Sequence, residues 1–148
     1  MTYALPIEDV LALLDLQAEY ADGADSFSGA TYASVFTEDG VLDATHTGIP
    51  AVVGRPAIAK LMDDTFVQQT SNCHMTTNQR VLTVEGDQAT GSCYFYQRSI
   101  LKNGGRTEFS GRYEDVYRRT VDGWKIEKRV LIELLPTVIE GYDVPNGS

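Results

Sequence analysis

The sequence predicts a single α+β domain: a cup formed by a curled antiparallel sheet packed on three N-terminal helices. Apolar residues recur at helical spacing as far as about residue 69, and from residue 74 to residue 135 they alternate with polar residues in four long runs. Short turns containing Gly, Asn or Asp separate the runs, which predicts an antiparallel meander. Long strands of this kind twist and curl, so the sheet is expected to wrap around the helices.

Length and charge limit the function. The chain has 148 residues, which suits one domain over 1–148 with a core at about 7–135 and a tail at 136–148. Its 12 basic and 21 acidic residues give a net charge of −9, which argues against binding to nucleic acid or to an anionic membrane. We see no membrane-spanning apolar run and no signal-peptide pattern, so the cytoplasm is the expected location.

Metal and cofactor sites are not indicated. The two histidines, His46 and His74, and the two cysteines, Cys73 and Cys93, are scattered, which does not suit a closed zinc site. The glycines of the 102–105 turn join two strands and do not form a phosphate-binding loop. We therefore expect no metal and no cofactor, with both cysteines reduced and His46 exposed to solvent.

The first helix is predicted to begin at Pro6, with acidic residues in its first turn. It carries two apolar stripes. One consists of Ile7, Val10, Leu11, Leu14, Ala18 and Ala21, and the other of Leu13, Leu16 and Tyr20. A helix that is apolar on two sides is expected to be covered on both, by the sheet and by another helix or subunit. Gly23 weakens its end, and Asp25 follows.

The remaining elements follow from the same patterns. Helices are predicted at about Gly29–Phe36 and Pro56–Gln69, with short strands at Val41–Thr45 and Ala51–Val53. The long strands are predicted at His74–Val84, Gln88–Leu101, Arg106–Thr120 and Trp124–Leu135, followed by a tail that is expected to be loose at its end.

Charged residues on the last two long strands are expected at solvated or interface positions. Glu114 and Asp115 lie on one strand, and Lys125, Lys128 and Arg129 lie on the next. Opposite charges on neighbouring strands can pair.

His74 is the most informative single residue. It stands where a helical pattern gives way to a strand pattern, and alternation places His74, Thr76, Asn78 and Arg80 on one face. A histidine followed by small polar residues on the same face suits a group that points into a pocket. The same alternation places Cys73 on the opposite face, which argues against a Cys–His nucleophilic pair.

The order of these elements and several short fragments resemble a known family. The fragments are Phe36–Gly40, Gly54–Ile58, His74, Val84–Ala89, Gly111–Asp115 and Asp122–Ile126. Together they resemble the SnoaL-like branch of the nuclear transport factor 2-like superfamily, with its cystatin-like fold, over about residues 7–132. Within that branch the chain is most similar to the scytalone dehydratase and bile acid 7α-dehydratase-like group.

The resemblance implies a site. Enzymes of this group pair an Asp late in the first helix with a His at the start of the first long strand, often with a Tyr before the Asp. The matching positions are Tyr20, Asp25 and His74. Scytalone dehydratase has a second pocket histidine on the following strand, whereas this chain has none there. Bile acid dehydratase has an additional acidic residue on that strand, and Gln97 or a neighbour stands in its place here.

A His–Asp pair can act as a general base because the carboxylate stabilises the imidazolium that forms. We therefore expect a cofactor-independent dehydratase, or an isomerase or cyclase, for a small apolar cyclic substrate such as a polyketide, steroid or terpenoid. The catalytic residues would be Asp25, His74 and Tyr20. The substrate contacts would come from Asn78, Thr76, Gln97 and Tyr113.

Other interpretations stay open at this point. Asp25 could cap the next helix, Tyr20 could be a core aromatic, and His74 could be structural. The whole chain could also be a small-molecule binding protein, or the small structural subunit of a ring-hydroxylating oxygenase. Apolar residues on both faces of the long strands favour a homodimer or homotrimer.

Overall fold

The computed structural model describes residues 5–145. Three helices occupy the first half of this range: α1 (Ile7–Asp25), α2 (Gly29–Ser34) and α3 (Arg55–Phe66). The strands are β1 (Phe36–Asp43), β2 (Val52–Val53), β3 (Gln69–Glu85), β4 (Gln88–Leu101), β5 (Arg106–Thr120), β6 (Gly123–Glu133) and β7 (Val138–Glu140).

The strands form one curled sheet with the order β2-β1-β6-β5-β4-β3, and β7 pairs with one end of β5. β3 to β6 form the antiparallel meander that the turn residues predict. β1 runs parallel to β6 and closes the other side of the cup. The predicted α+β cup, a curled antiparallel sheet on three N-terminal helices, is confirmed.

The boundaries of β4 and β5 agree with the prediction, whereas the junction between α3 and β3 differs. α3 ends at Phe66, and β3 begins at Gln69, five residues before the predicted start. Gln69 pairs with Leu101 across the β3–β4 ladder. The polar run from Thr70 to Asn72 has a weak strand pattern of its own, so pairing with β4 decides its conformation.

The two apolar stripes of α1 differ in burial. Leu13, Leu16 and Tyr20 are buried against the sheet. Ile7 and Leu11 of the other stripe are 67% and 60% exposed. The described part of the chain therefore buries one side of this helix against the sheet. The residues of the other stripe that are named here stay exposed to solvent.

Asp25 does not cap α2, as the connection between α1 and α2 shows. Gly23 lies so close to α2 that a Cβ there would be 2.4 Å from the backbone nitrogen of Tyr32. α2 is capped by Ser28, whose hydroxyl accepts a hydrogen bond of 3.1 Å from the backbone N–H of Thr31. α1 continues through Asp25, so this carboxylate lies at the end of a helix and can serve the site.

The prediction of solvated positions is wrong for Asp115 and Arg129. Both are buried, with exposed fractions of 3% and 0%. Strict alternation from Ile126 would turn Lys128 inward, but the register shifts between the pairs Val116–Lys128 and Tyr117–Ile126. This bulge turns Arg129 inward, opposite Asp115 on β5. The expected pairing of opposite charges does occur, inside the core.

Candidate functional site

A cavity of about 100 Å³ lies between the concave face of the sheet and the three helices. Its wall is mostly apolar. The apolar members include Leu42, Leu61, Met62, Phe66, Phe109 and Leu131. No Asp, Glu, Lys or Arg belongs to the wall within residues 5–145. The cavity is therefore suited to a neutral molecule with a large apolar surface.

The structure divides the predicted site residues into two groups. Tyr20, His74, Gln97 and Tyr113 line the cavity. Asp25, Thr76 and Asn78 do not belong to its wall.

The position of Asn78 has a local cause. Asn78 has a positive φ of 54°, and the β3–β4 register shifts between Thr77 and Arg80. A bulge here ends the alternation that begins at His74, so the predicted common face does not extend to Asn78 and Arg80. Both residues instead line a second depression, which also includes Tyr94 and Arg112.

His74 is buried at one end of the cavity. Its Nε2 shares a hydrogen bond of 2.9 Å with the hydroxyl of Tyr113, and its ring stacks on Phe95 with centroids 6.1 Å apart. Burial, together with the charge of Arg129, lowers the pKa of His74 to about 3. The imidazole is therefore neutral at physiological pH.

Asp25 contacts His74 through the backbone. Its carboxylate accepts a hydrogen bond of 3.0 Å from the side-chain amide of Asn72 and lies near the backbone N–H of His74. Partial burial raises the pKa of Asp25. Within the described range, no hydrogen bond joins the His74 ring to this carboxylate. The predicted pair joins the Asp25 carboxylate to the His74 ring, whereas in the structure the ring bonds Tyr113 and Asp25 lies outside the cavity wall.

Three tyrosines extend the polar end of the cavity. The hydroxyls of Tyr20 and Tyr32 share a hydrogen bond, and the ring of Tyr20 packs edge-on against Tyr113 at 5.6 Å. Burial raises the pKa of all three phenols, so they stay protonated and can donate hydrogen bonds.

Arg129 lies behind this layer of rings. Its guanidinium carbon is 4.3 Å from the Tyr20 ring centroid and 4.1 Å from that of Tyr113. Asp115 accepts two hydrogen bonds of 2.8 Å from Nε and Nη2, and Nη2 also donates to Gln17. The guanidinium thus supports the tyrosines by a cation–π contact on each ring. Sequence analysis missed this role, although the facing charges on neighbouring strands were a usable signal.

Tyr142 is a second residue that sequence analysis missed. It comes from the tail after the last long strand, lines the cavity, and shares a hydrogen bond of 2.9 Å with Thr65 of α3. Gln68 holds the adjacent backbone of Asp143 through two hydrogen bonds. The end of the tail, which was expected to be loose, lies outside the described residues. No sequence motif marks Tyr142, because only the folded chain brings the tail to α3.

The described residues contain neither a metal-binding cluster nor a membrane-spanning helix. Within residues 5–145 there is no group of three or more His, Cys, Asp or Glu side chains placed to hold a metal ion. Over the same range, none of the helices combines the length and the hydropathy that a membrane span requires.

Comparisons with known proteins place the chain in a family. The family model described as a SnoaL-like domain matches residues 6–130. A search of curated proteins found no match. Among solved structures, a protein of Novosphingobium aromaticivorans, provisionally named an aromatic ring hydroxylase, is 34% identical with a TM-score of 0.86. The alignment covers 91% of this chain and 95% of that chain.

More distant structures share the fold. A protein provisionally named scytalone dehydratase, also from N. aromaticivorans, is 17% identical with a TM-score of 0.81, covering 95% of this chain and 93% of that one. A hexachlorocyclohexane dehydrochlorinase of Novosphingobium barchaimii is 20% identical with a TM-score of 0.76, covering 95% and 97%. The match over most of its length shows that the chain belongs to the SnoaL-like domain family, within the nuclear transport factor 2-like superfamily.

Proposed function

We propose that this protein is a cofactor-independent enzyme that removes a carbon-bound proton from a small, largely apolar cyclic substrate. The reaction is an elimination of the dehydratase type or an isomerisation, including cyclisation. One observation carries the proposal: a neutral, buried imidazole adjoins protonated tyrosines at one end of an apolar cavity. The names of two distant structural neighbours, a dehydratase and a dehydrochlorinase, agree with this class of reaction.

His74 is the base in this proposal. A base must hold a free lone pair before the reaction, and the lowered pKa of His74 keeps the ring unprotonated. The same low pKa makes the free imidazole a weak base, so the imidazolium must be stabilised as it forms. In this proposal Asp25 does so, and the support for it is that its carboxylate lies near the backbone of His74. We propose that the ring turns from Tyr113 to this carboxylate when it takes the proton.

The tyrosines act as the hydrogen-bond donors. An elimination needs a group that donates to the departing hydroxide or halide, and an isomerisation needs one that donates to the carbonyl oxygen as negative charge develops. Tyr20 and Tyr32 are protonated and face the cavity. The guanidinium of Arg129 behind Tyr20 favours any negative charge that reaches the phenol oxygen.

The proposal can be tested before the natural substrate is known. 1-Tetralone, a bicyclic ketone, would be incubated with the protein in D₂O, and loss of the signal of the protons next to the carbonyl would be followed by NMR. We expect wild-type protein to accelerate the exchange, and His74→Gln to reduce the protein-dependent rate by about 10²–10⁴-fold. His46→Gln is the matched control, because His46 is the other histidine and is exposed. Equal rates for wild type and His74→Gln would refute the role of His74 as the base.

The provisional name of the 34% identical protein favours a second candidate function, the small structural subunit of a ring-hydroxylating oxygenase. In that case the chain would co-purify with a larger iron-containing chain, and His74→Gln would not change oxygenase activity.

The outer sheet face favours association with further copies of this chain. Met75, Leu82 and Tyr94 are exposed there by 42–52%. Light scattering that finds a stable homodimer or homotrimer would support the enzyme, and a monomer that assembles only with a larger chain would support the oxygenase subunit.

A further inference from the structure

Gln69 has a buried amide oxygen without a hydrogen-bond partner. The residue begins β3, is 7% exposed and lines the cavity. Its Oε1 accepts no hydrogen bond from any group within residues 5–145. A polar atom that is removed from water without a partner is costly, so buried polar atoms are nearly always bonded.

The other polar side chains of the cavity wall are already engaged. His74 bonds Tyr113, and Tyr20 bonds Tyr32. The remaining hydrogen bonds join Thr65 to Tyr142, Asn72 to Gln97, and Gln97 to Thr107. Among the described wall residues, Gln69 has a fully buried acceptor without a partner, and its side chain must turn towards the cavity before a bound molecule can donate to it.

Gln69 lies away from the proposed base. It precedes His74 by five residues on β3, and an extended strand rises about 3.3 Å per residue, so their backbones are up to about 16 Å apart. A molecule that fills the cavity between them can present one end to His74 and the tyrosines and the other to Gln69. The free amide is then suited to recognise the end of the substrate that does not react.

We propose that Gln69 is a specificity-determining residue that binds a hydroxyl group on the part of the substrate remote from the reacting carbon. This inference rests on the proposed function in taking the cavity as the substrate site, and it adds the substrate class, a hydroxylated cyclic compound. A hydroxyl suits the amide because it can donate to Oε1 and, if the amide turns over, accept from Nε2. A charged group does not suit a wall that has no charged side chain to neutralise it.

Two ketones that differ by one hydroxyl test this inference. 6-Hydroxy-1-tetralone and 1-tetralone would be titrated into the full chain by calorimetry. We expect wild-type protein to bind the hydroxylated ketone about 10- to 100-fold more tightly, the range that corresponds to satisfying a buried neutral acceptor. Gln69→Leu should bind the two ketones with equal affinity. Gln88→Leu is the control, since Gln88 is an exposed residue at the start of β4 and does not belong to the cavity wall, and it should keep the preference for the hydroxylated ketone.

The stability of Gln69→Leu gives an independent readout. Replacing an unpartnered buried amide by an apolar side chain of similar size should leave the melting temperature unchanged or raise it. A clear fall would mean that the amide has a structural partner, which would overturn the inference, as would the absence of any hydroxyl preference in wild-type protein. Both readouts are independent of turnover. Failure of the His74 exchange test with a retained hydroxyl preference would refute the base and not the role of Gln69.

Discussion

Two carboxylates lie near the ring layer formed by Tyr20, His74 and Tyr113, and they differ in burial and in their hydrogen-bond partners. Asp115 is buried, accepts two hydrogen bonds from Arg129, and holds that cation against the Tyr20 and Tyr113 rings. Asp25 lies nearer the surface and is only partly covered, accepts a hydrogen bond from the amide of Asn72, and carries no salt bridge among the described residues.

The difference in pairing assigns the two carboxylates to different roles, one structural and one in the proposed reaction. A buried carboxylate that is fully paired with a guanidinium is fixed in geometry and charge, so it serves to position the rings in front of it. A carboxylate that is bonded to one amide and lies near one backbone N–H has no cation paired with it, so it can still interact with a positive charge that forms nearby. Asp25 is therefore the carboxylate that can stabilise His74 when His74 is protonated, while Asp115 and Arg129 keep the rings in place.

The largest expected effect comes from breaking the buried pair. Asp115→Asn removes one charge and leaves Arg129 buried without compensation, so we expect a loss of about 3–5 kcal/mol in the free energy of unfolding. Urea denaturation followed by circular dichroism measures this loss. Asp25→Asn is the matched control and should cost less than about 1 kcal/mol, since the residue is exposed. An Asp115→Asn variant as stable as wild type would contradict the division into scaffold and site.

Asp25→Asn should instead reduce catalysis. If the carboxylate stabilises the imidazolium of His74, the exchange of the 1-tetralone protons should slow by roughly 10²-fold, at the low end of the range for general base catalysis. The measurement is the NMR exchange assay at a pH where the fold is intact. Unchanged exchange in Asp25→Asn, together with a loss in His74→Gln, would leave His74 as a base that acts without Asp25.

The pH dependence of stability tests whether the His74 ring pairs with Asp25 in the free protein. The folded pKa of His74 is about 3 and the unfolded value is 6.5, so the unfolded chain binds more protons in this window. The contribution of His74 to stability is complete above pH 6.5 and falls by about 1.4 kcal/mol per pH unit as the pH drops towards 3.

Denaturation of wild type and His74→Gln between about pH 7 and pH 4.5 isolates this contribution as the difference between the two slopes. Wild type should lose stability faster as the pH falls. A ring paired with Asp25 would have a raised pKa and give a difference of the opposite sign, which would contradict the resting geometry described above.

The smallest expected effect concerns the helix cap. Ser28→Ala removes the side-chain acceptor at the start of α2 and should cost about 1 kcal/mol in the free energy of unfolding. The same denaturation experiment on Asp25→Ala should show a smaller loss, because Asp25 does not cap this helix. A larger loss for Asp25→Ala than for Ser28→Ala would return Asp25 to a structural role.

Much of the sheet could be predicted because its signals are local. β4 and β5 have the predicted boundaries, since Gly and Asp or Asn mark the turns at 85–87 and 102–105 and alternation marks the strands between. The inward direction of His74 and the exposure of Cys73 also follow from alternation alone.

Alternation failed at two bulges. At Asn78 the extra residue ends the face that begins at His74, and between Ile126 and Arg129 it turns a charged side chain into the core. Each bulge depends on how a strand pairs with its neighbour, so a pattern read along one strand does not show it.

The sequence by itself determined the fold class, the meander and the presence of His74 on the concave face, because these depend on periodicity and turn chemistry between near neighbours. The tertiary structure decided which groups the site residues touch. It bonded the His74 ring to Tyr113, bonded the Asp25 carboxylate to the amide of Asn72, and left Oε1 of Gln69 without a partner among the described residues. These outcomes depend on side chains that lie far apart in the chain or on which atoms are left without a partner. Such contacts exist only when helices, sheet and tail are packed together.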